Sequence, residues 1–309
     1  MNWTIRILNT PEEMVAVEDL QRLVWTGSEL EIVPAHILLA AIHNGGLAIG
    51  AYPISNFNTE STPPLIGFVF GFPGLTFMAG KPKPKHQSHM LATHPDYRDK
   101  GLGFMLKRAQ WQMVRHQGLD LICWTYDPLL SLNANLNIAK LGAVCNTYLP
   151  NEYGEMRDGL NAGLPSDRFQ VDWWVNTSRV ERRLSRRART TLDLAHYLEA
   201  GIQIINRSQM DAKNLPQPTL SVNLESVKDS ILLVEIPANY QSLKADDFSL
   251  ALEWRYHTRA IFEHFFHQGY LITDFVYLGG EEPRGFYVVS YGKQTLDGSD
   301  KEIYENYAG

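Results

Sequence analysis

The chain has 309 residues, 44% of them hydrophobic, and a formal net charge of −6. That length carries one large domain or two ordinary ones, with a substantial core. An acidic balance argues against broad nucleic-acid binding, which needs a basic face to neutralise phosphates. Two cysteines, Cys123 and Cys145, imply no disulfide framework and fit a reducing cytoplasm. The start Met1-Asn-Trp-Thr-Ile-Arg lacks a charged region leading into an apolar one. No apolar run approaches the ~18 residues of a membrane span. A cytoplasmic protein is expected, with no nucleic-acid or membrane partner; a homodimer is compatible.

Trp3 to Leu8 reads as a strand. Asn9 or Thr10 caps the next helix, with Pro11 in its first turn and Met14, Val17, Leu20, Val24 and Trp25 on its apolar side. Pro34 opens a second helix through Ile42, closed by Gly45-Gly46. Strands follow at Leu47–Ile54 and Leu65–Phe72. Pro73 to Lys85, with its glycine, prolines and lysines, reads as a loop. Gln87-Ser-His-Met-Leu-Ala-Thr93 is a strand, and His94-Pro-Asp-Tyr97 is the turn leaving it.

Arg98-Asp-Lys-Gly-Leu-Gly103 then opens an amphipathic helix. Leu102, Met105, Leu106, Ala109 and Met113 recur on one helical face, and Gly118 supplies the stop. Glycines at a helix mouth let backbone N–H groups approach an anion, and the positive end of the dipole makes that mouth a pyrophosphate seat. A dinucleotide fingerprint wants a third glycine where Leu106 stands, and a phosphate-binding Gly-Lys-Ser/Thr loop is absent.

Leu119–Tyr126 is a nearly continuous apolar strand, as when both faces are covered. Ser131 to Leu141 is a short helix stopped by Gly142, and Val144–Leu149 is another strand. Residues 179–190 hold six arginines: Arg179, Arg182, Arg183, Arg186, Arg187 and Arg189. Such a run is ordinarily a solvated helix face or linker; the alternative is a helix that faces phosphate. From 191 to 230 the chain is polar and turn-rich. Ile231–Ile236, a helix marked by Phe248, Ala251, Leu252, Phe262, Phe265 and Phe266, and strands at Leu271–Leu278 and Phe286–Ser290 form a β-α-β-β block. Asp297–Gly309 is a polar tail.

The pattern Arg-x-x-Gly-x-Gly after a strand ending in Pro-x-Tyr-Arg resembles motif A of the GCN5-related N-acetyltransferase (GNAT) superfamily, whose ligand is acyl-coenzyme A. The element order β-α-α-β-β-β-α-β-α-β matches that superfamily's core through about residue 175. The resemblance implies an α/β (α+β) fold: a mixed twisted sheet flanked by helices, here with a C-terminal β-α-β-β extension. The boundaries it implies are an acyltransferase core at 1–178, an arginine-rich helix and linker at 179–230, the extension at 231–295 and a tail at 296–309.

The resemblance also assigns residues. Arg98, Asp99, Lys100, Gly101, Leu102 and Gly103 would hold the coenzyme. Leu91, Ala92 and Thr93, on a strand edge freed by a bulge, would bind its pantetheine amides and polarise the thioester; ordinary ladder pairing is the alternative. Ser131-Leu-Asn-Ala-Asn-Leu-Asn-Ile-Ala-Lys-Leu-Gly142 resembles the superfamily's Asn-x-x-Ala…Tyr-x-x-x-Gly element, so Asn133 and Asn135 are further coenzyme contacts or simply decorate the helix. Ile138 stands where the usual tyrosine acid would be. Asp127, at the strand end before Pro128, is the candidate base, although proline also suits it to a turn. Tyr148 and Tyr153 are the candidates to replace the lost acid.

No metal-ligand spacing surrounds His89 or His94, and no metal is expected. Tyr153 to Trp174, with Gly-Leu-Pro-Ser-Asp-Arg-Phe at its centre, resembles a little-characterised group of the superfamily that carries a long C-terminal extension. Some of its relatives are associated with N-acylamino-acid racemases and linked to N-succinylation of amino acids. Arg157 and Arg168 are the candidate anchors for an acceptor carboxylate; the alternative is that each pairs with a neighbouring aspartate, Asp158 or Asp167. The expected activity is transfer of an acetyl or succinyl group from acetyl-CoA or another acyl-CoA, as co-substrate, to a small-molecule amine such as an amino acid. The alternative is a non-catalytic acyl-CoA-binding or regulatory protein of the same fold.

Overall fold

The structure is a computed structural model that describes residues 3–25, 27, 29–54, 63–78, 80–154, 163–185, 191–219 and 222–291. Two compact units divide between Trp124 and Thr125. The first contains β1 (Trp3–Ile7), α1 (Pro11–Val24), α2 (Ala35–His43), β2 (Leu47–Pro53), β3 (Gly67–Met78), β4 (Lys81–Thr93), α3 (Leu102–His116) and most of β5 (Leu121–Tyr126). Its strands lie in the order β1-β2-β3-β4-β5. Neighbours are antiparallel except β4 and β5, which are parallel. This mixed sheet and its order of elements are those expected from the sequence.

Local chemistry explains where the helices start and what they cover. Thr10 and Glu13 form a reciprocal capping box at the head of α1. Met14, Val17 and Leu20 from α1 and Leu38 from α2 pack against Phe68, Phe70 and Ala92. Successive strand residues point to opposite faces, and α3 covers the other side. A Cβ added to Gly67 would lie 3.1 and 3.2 Å from the side chains of Leu102 and Leu106.

The reading of Pro73 to Lys85 as a loop is corrected. β3 and β4 continue pairing through it, from Pro73–His86 to Met78–Lys81. Prolines suggested a break, but Pro73, Pro82 and Pro84 all fall in the same alternate set of cross-strand pairs. A ladder can form there only if those pairs exchange no hydrogen bonds, so the missing N–H groups face away from the partner strand.

The second unit holds α4 (Ser131–Ala134), continued by a π-helical segment (Asn135–Lys140), then β6 (Val144–Leu149), β7 (Arg168–Trp174), α5 (Ser178–Leu184) and α6 (Leu194–Glu199). The short pair β8 (Gln209–Met210) and β9 (Pro216–Gln217) precedes β10 (Ile231–Pro237), α7 (Tyr240–Asp246), α8 (Phe248–His267), β11 (Tyr270–Leu278) and β12 (Arg284–Tyr291). The larger sheet runs β7-β6-β11-β12-β10 with antiparallel neighbours. The β-α-β-β block is present with two helices between its first two strands, and β6 and β7 share its sheet. Phe169 centres an aromatic core with Tyr148, Phe262, Phe266 and Tyr287.

A solvated face is the wrong description for two members of the arginine run. Arg179 is buried and donates to the carbonyl of Gly142 at 2.9 Å and to that of Thr273. Arg183 donates to the carbonyl of Ala139 and, through two nitrogens, to the carboxylate of Asp274 at 3.1 and 2.7 Å. Both close carbonyls near the end of the π-helical segment, where backbone acceptors lack helical partners. Arg186, Arg187 and Arg189 lie outside the described residues.

Candidate functional site

The sequence places a candidate anion seat at the mouth of α3. His94 Nδ1 accepts the N–H of Asp96 at 3.2 Å and opens a tight turn at Pro95–Tyr97. Asp99 and Gly101 then take left-handed conformations, with φ of 58° and 80°. No side chain caps the helix. Its first turn closes with Met105 N–H on the carbonyl of Gly101 at 3.2 Å. The amides of Leu102, Gly103 and Phe104 therefore have no intrahelical acceptor. A Cβ at Gly101 would meet nothing within 4 Å, so glycine is needed there for its φ rather than for space. Arg98, Asp99 and Lys100 are exposed beside this mouth. The Lys100 ammonium bonds the carbonyl of Asp96 at 2.5 Å and lies 5.3 Å from the Tyr97 ring centre.

The strand leading to the mouth carries a bulge. Phe70 faces Met90 and Gly71 faces Ser88, so His89 is the extra residue. The sequence reading put this irregularity around Leu91–Thr93, a little further along. His89 sits against the rings of Phe70 and Phe72. β4 meets β5 at His86–Ile122 and Gln87–Cys123. Past the bulge, Leu91, Ala92 and Thr93 pair with Val69, Phe68 and Gly67 of β3. Among the described residues, their β5-facing edge has no ladder partner.

Beneath α3 lies a polar cluster that the apolar pattern missed. The buried face of the helix is Leu102, Leu106, Lys107, Gln110 and Val114, whereas Met105 is exposed. The inward positions of β4 are His86 and Ser88, and the helix answers them with polar groups. Lys107 Nζ donates to Ser88 Oγ at 3.0 Å and Gln110 Oε1 at 2.9 Å, and lies 3.6 Å from the Trp124 ring centre. Gln110 Nε2 is 3.1 Å from His86 Nε2. Burial, aided by the Lys107 charge, pushes the His86 pKa down to about 3, and burial also holds Lys107 well below the usual lysine range.

The candidate acid, base and carboxylate anchor fall in the second unit, where the structure gathers four of them. Asp127 is buried, and its oxygens accept two bonds from Arg255 at 2.8 and 2.6 Å plus the N–H of Leu129 at 2.9 Å. Arg168 Nη1 donates to the carbonyl of Asp167 at 2.8 Å and stands 3.9 Å from Asp127. Its guanidinium lies 5.3 Å from the Tyr153 ring centre. Tyr153 is 54% exposed, and its hydroxyl meets Thr125 Oγ1 at 2.7 Å. Tyr148 differs: its hydroxyl donates to Asp167 at 2.6 Å, and burial pushes its pKa well above the ordinary value. Asp167 is also gripped by Arg259, at 2.9 and 2.6 Å.

Arg255 and Arg259 were not found from the sequence. Their one signal was a pair of arginines four apart on a helix otherwise rich in aromatics. Asn133 and Asn135 are half-buried around the junction of α4 and the π-helical segment. Ile138 is fully buried in that segment. Arg157 lies outside the described residues.

Several solved acetyltransferases are similar in structure to this chain. An Arabidopsis thaliana NAA60 in complex with acetyl-CoA shows 14% identity and a TM-score of 0.45, covering 56% of this chain and 99% of its own. A putative acetyltransferase of the GNAT family from Desulfovibrio desulfuricans shows 16% identity and a TM-score of 0.41, covering 56% and 99%. An aminoglycoside 6'-acetyltransferase type Ii shows 18% identity and a TM-score of 0.41, covering 56% and 98%. No family model matches the chain, and no curated protein matches it.

Proposed function

We propose that this chain is an acyl-CoA-dependent N-acyltransferase that moves an acetyl or succinyl group to the amine of a small molecule such as an amino acid. The observation that carries this reading is the uncapped mouth of α3, with left-handed Asp99 and Gly101 beside the free edge of β4. Backbone amides at a helix mouth suit a pyrophosphate. Arg98 and Lys100 add charge, and Leu91–Thr93 offer main-chain groups along an extended ligand. Asn133 and Asn135 are the proposed further contacts. The residues present therefore fit acyl-CoA, which supplies the acyl group as an activated thioester.

In this reading the acceptor nitrogen bonds to the acyl carbon as the carbon–sulfur bond breaks, without an acyl-enzyme. Cys123 is 2% exposed and is a poor nucleophile in that setting. Of the three candidates for proton transfer, Tyr153 is favoured for returning a proton to the departing sulfur, because its hydroxyl is oriented by Thr125 on an exposed side chain. Tyr148 and Asp127 are each committed to buried partners, so we assign Asp127 to fixing the strand end rather than to taking the ammonium proton, which passes to water. Arg168, against the Tyr153 ring, is the proposed carboxylate anchor. Residues 1–178 are read as the acyltransferase core and 231–295 as its extension.

A free-thiol assay crossing acetyl-CoA and succinyl-CoA with L- and D-amino acids, polyamines and peptide N-termini tests the proposal. Thiol release with amino acids supports it; release confined to amines lacking a carboxylate removes the acceptor class. The second reading is a non-catalytic acyl-CoA-binding protein, favoured by buried Ile138 at the position where the resemblance expects a tyrosine. Calorimetric binding of coenzyme A without turnover on any acceptor would select it.

A further inference from the structure

Beyond the Pro73–His86 pair, the pairing register makes the ends of β3 and β4 two-faced. Leu75 stands opposite Pro84 and Phe77 opposite Pro82. Directly opposed residues share a face, so these four lie together on the side that α3 covers closer to His86. There they are uncovered: Leu75 is 65% and Phe77 72% exposed, and both prolines are exposed. On the other face, Lys85 opposes Gly74, Lys83 opposes Thr76 and Lys81 opposes Met78. No acidic residue occurs between Glu60 and Asp96, in a chain whose net charge is −6.

The prolines restrict what this ribbon can bind. Pro82 and Pro84 turn their nitrogens away from β3, so the outward edge of β4 lacks two N–H donors. A partner strand would find that edge blunted. The apolar face is four side chains, far short of the ~20–30 residues a side of a stable protein interface. A bilayer surface requires neither edge hydrogen bonds nor a large complementary patch. It takes a few inserted apolar side chains together with cations for its headgroups. Lysine stems are long enough to keep their ammonium groups in water while the ribbon lies in the interface.

We propose that residues 73–78 and 81–85 form a docking surface for an anionic lipid bilayer, with Leu75 and Phe77 entering the interface and Lys81, Lys83 and Lys85 pairing with anionic headgroups. A peripheral contact of this kind needs no spanning segment, and no helix among the described residues is long and apolar enough to cross a membrane.

Co-sedimentation of the full chain with phosphatidylcholine vesicles, with and without phosphatidylserine, tests the assignment. The wild type is expected to pellet with phosphatidylserine vesicles at low salt, to release as salt rises, and to ignore phosphatidylcholine alone. Replacing the three lysines by glutamate should weaken binding on the order of a hundredfold. Leu75→Ser with Phe77→Ser should weaken it roughly tenfold or more. All five side chains are exposed or rim positions, so unchanged circular dichroism and melting verify folding. Absence of phosphatidylserine-dependent sedimentation by the wild type would overturn the proposal, as would equal binding by both variants. A concentration-dependent dimer that Phe77→Ser dissolves, without vesicle binding, would reassign the face to a second copy of this chain.

Discussion

Arg255 and Asp127, 128 residues apart in sequence, meet through two hydrogen bonds of 2.8 and 2.6 Å with both side chains buried. The pair ties the first turn after β5 to the middle of α8. Burial alone depresses a guanidinium pKa, but the Asp127 carboxylate outweighs it and Arg255 is raised. Arg255 Nε has no hydrogen-bond partner among the described residues, so one donor is already sacrificed to this geometry.

Removing one partner of such a pair strands a buried charge, which costs more than the pair's net worth. Arg255→Met is expected to lower unfolding free energy by about 3–5 kcal/mol. The double variant Arg255→Met, Asp127→Leu should lose less than the two single changes added together. Urea unfolding of the four proteins checks this double-mutant cycle, and strict additivity would show that the two side chains are not energetically coupled.

His86 makes stability depend on pH. Its folded pKa is about 3 against an ordinary 6.5, lowered by burial and then by Lys107. Between those values the unfolded chain binds the extra proton. The stabilisation is complete above pH 6.5 and drains away as pH falls toward 3, at about 1.4 kcal/mol per pH unit at most. His86→Gln should flatten this part of the curve in urea titrations between pH 6.5 and 4. A variant with the wild-type slope would mean that His86 is not the group that titrates.

How much of this was legible depends on the kind of signal. The cap at Thr10, the helix at α3, the glycine mouth and the block from β10 to β12 follow from local spacing. Lys107 and Gln110 did not, because apolar periodicity passes over polar letters, and their burial is dictated by His86 and Ser88 some twenty residues earlier. The β3–β4 ribbon was lost to its prolines, whose tolerance depends on pairing register rather than composition. Arg255 and Asp127 find each other only in the folded unit. The candidate site was therefore half readable: its backbone cradle is local, while the clamps on its side chains are not.

Lys107 is buried beside Ser88 and Gln110, and burial lowers its pKa well below 10.5. From that depressed value up to the unfolded value, the unfolded chain holds the proton more tightly, so stability rises with pH across the window. Below the unfolded value this lowered pKa costs the fold stability, despite the Trp124 ring face at 3.6 Å. Lys107→Met keeps the stem and deletes the charge. It should stabilise the protein by roughly 1–3 kcal/mol at pH 7 and remove the upward slope toward alkaline pH. Destabilisation by this change would show that the contacts to Ser88, Gln110 and Trp124 outweigh desolvation.

Tyr153 is the residue on which the proposed chemistry turns. Its hydroxyl is held at 2.7 Å by Thr125, and Arg168 lies against its ring. As the group that returns a proton to sulfur, it should matter in turnover and not in coenzyme binding. Tyr153→Phe removes one hydroxyl and preserves the ring, so the fold and the Arg168 contact survive. Its kcat should fall by about 10²-fold or more, with coenzyme A affinity by calorimetry unchanged. Thr125→Val, which only unfixes the hydroxyl, should give a smaller loss of kcat. Full activity in Tyr153→Phe would remove this tyrosine from the reaction and leave the sulfur to be protonated through water.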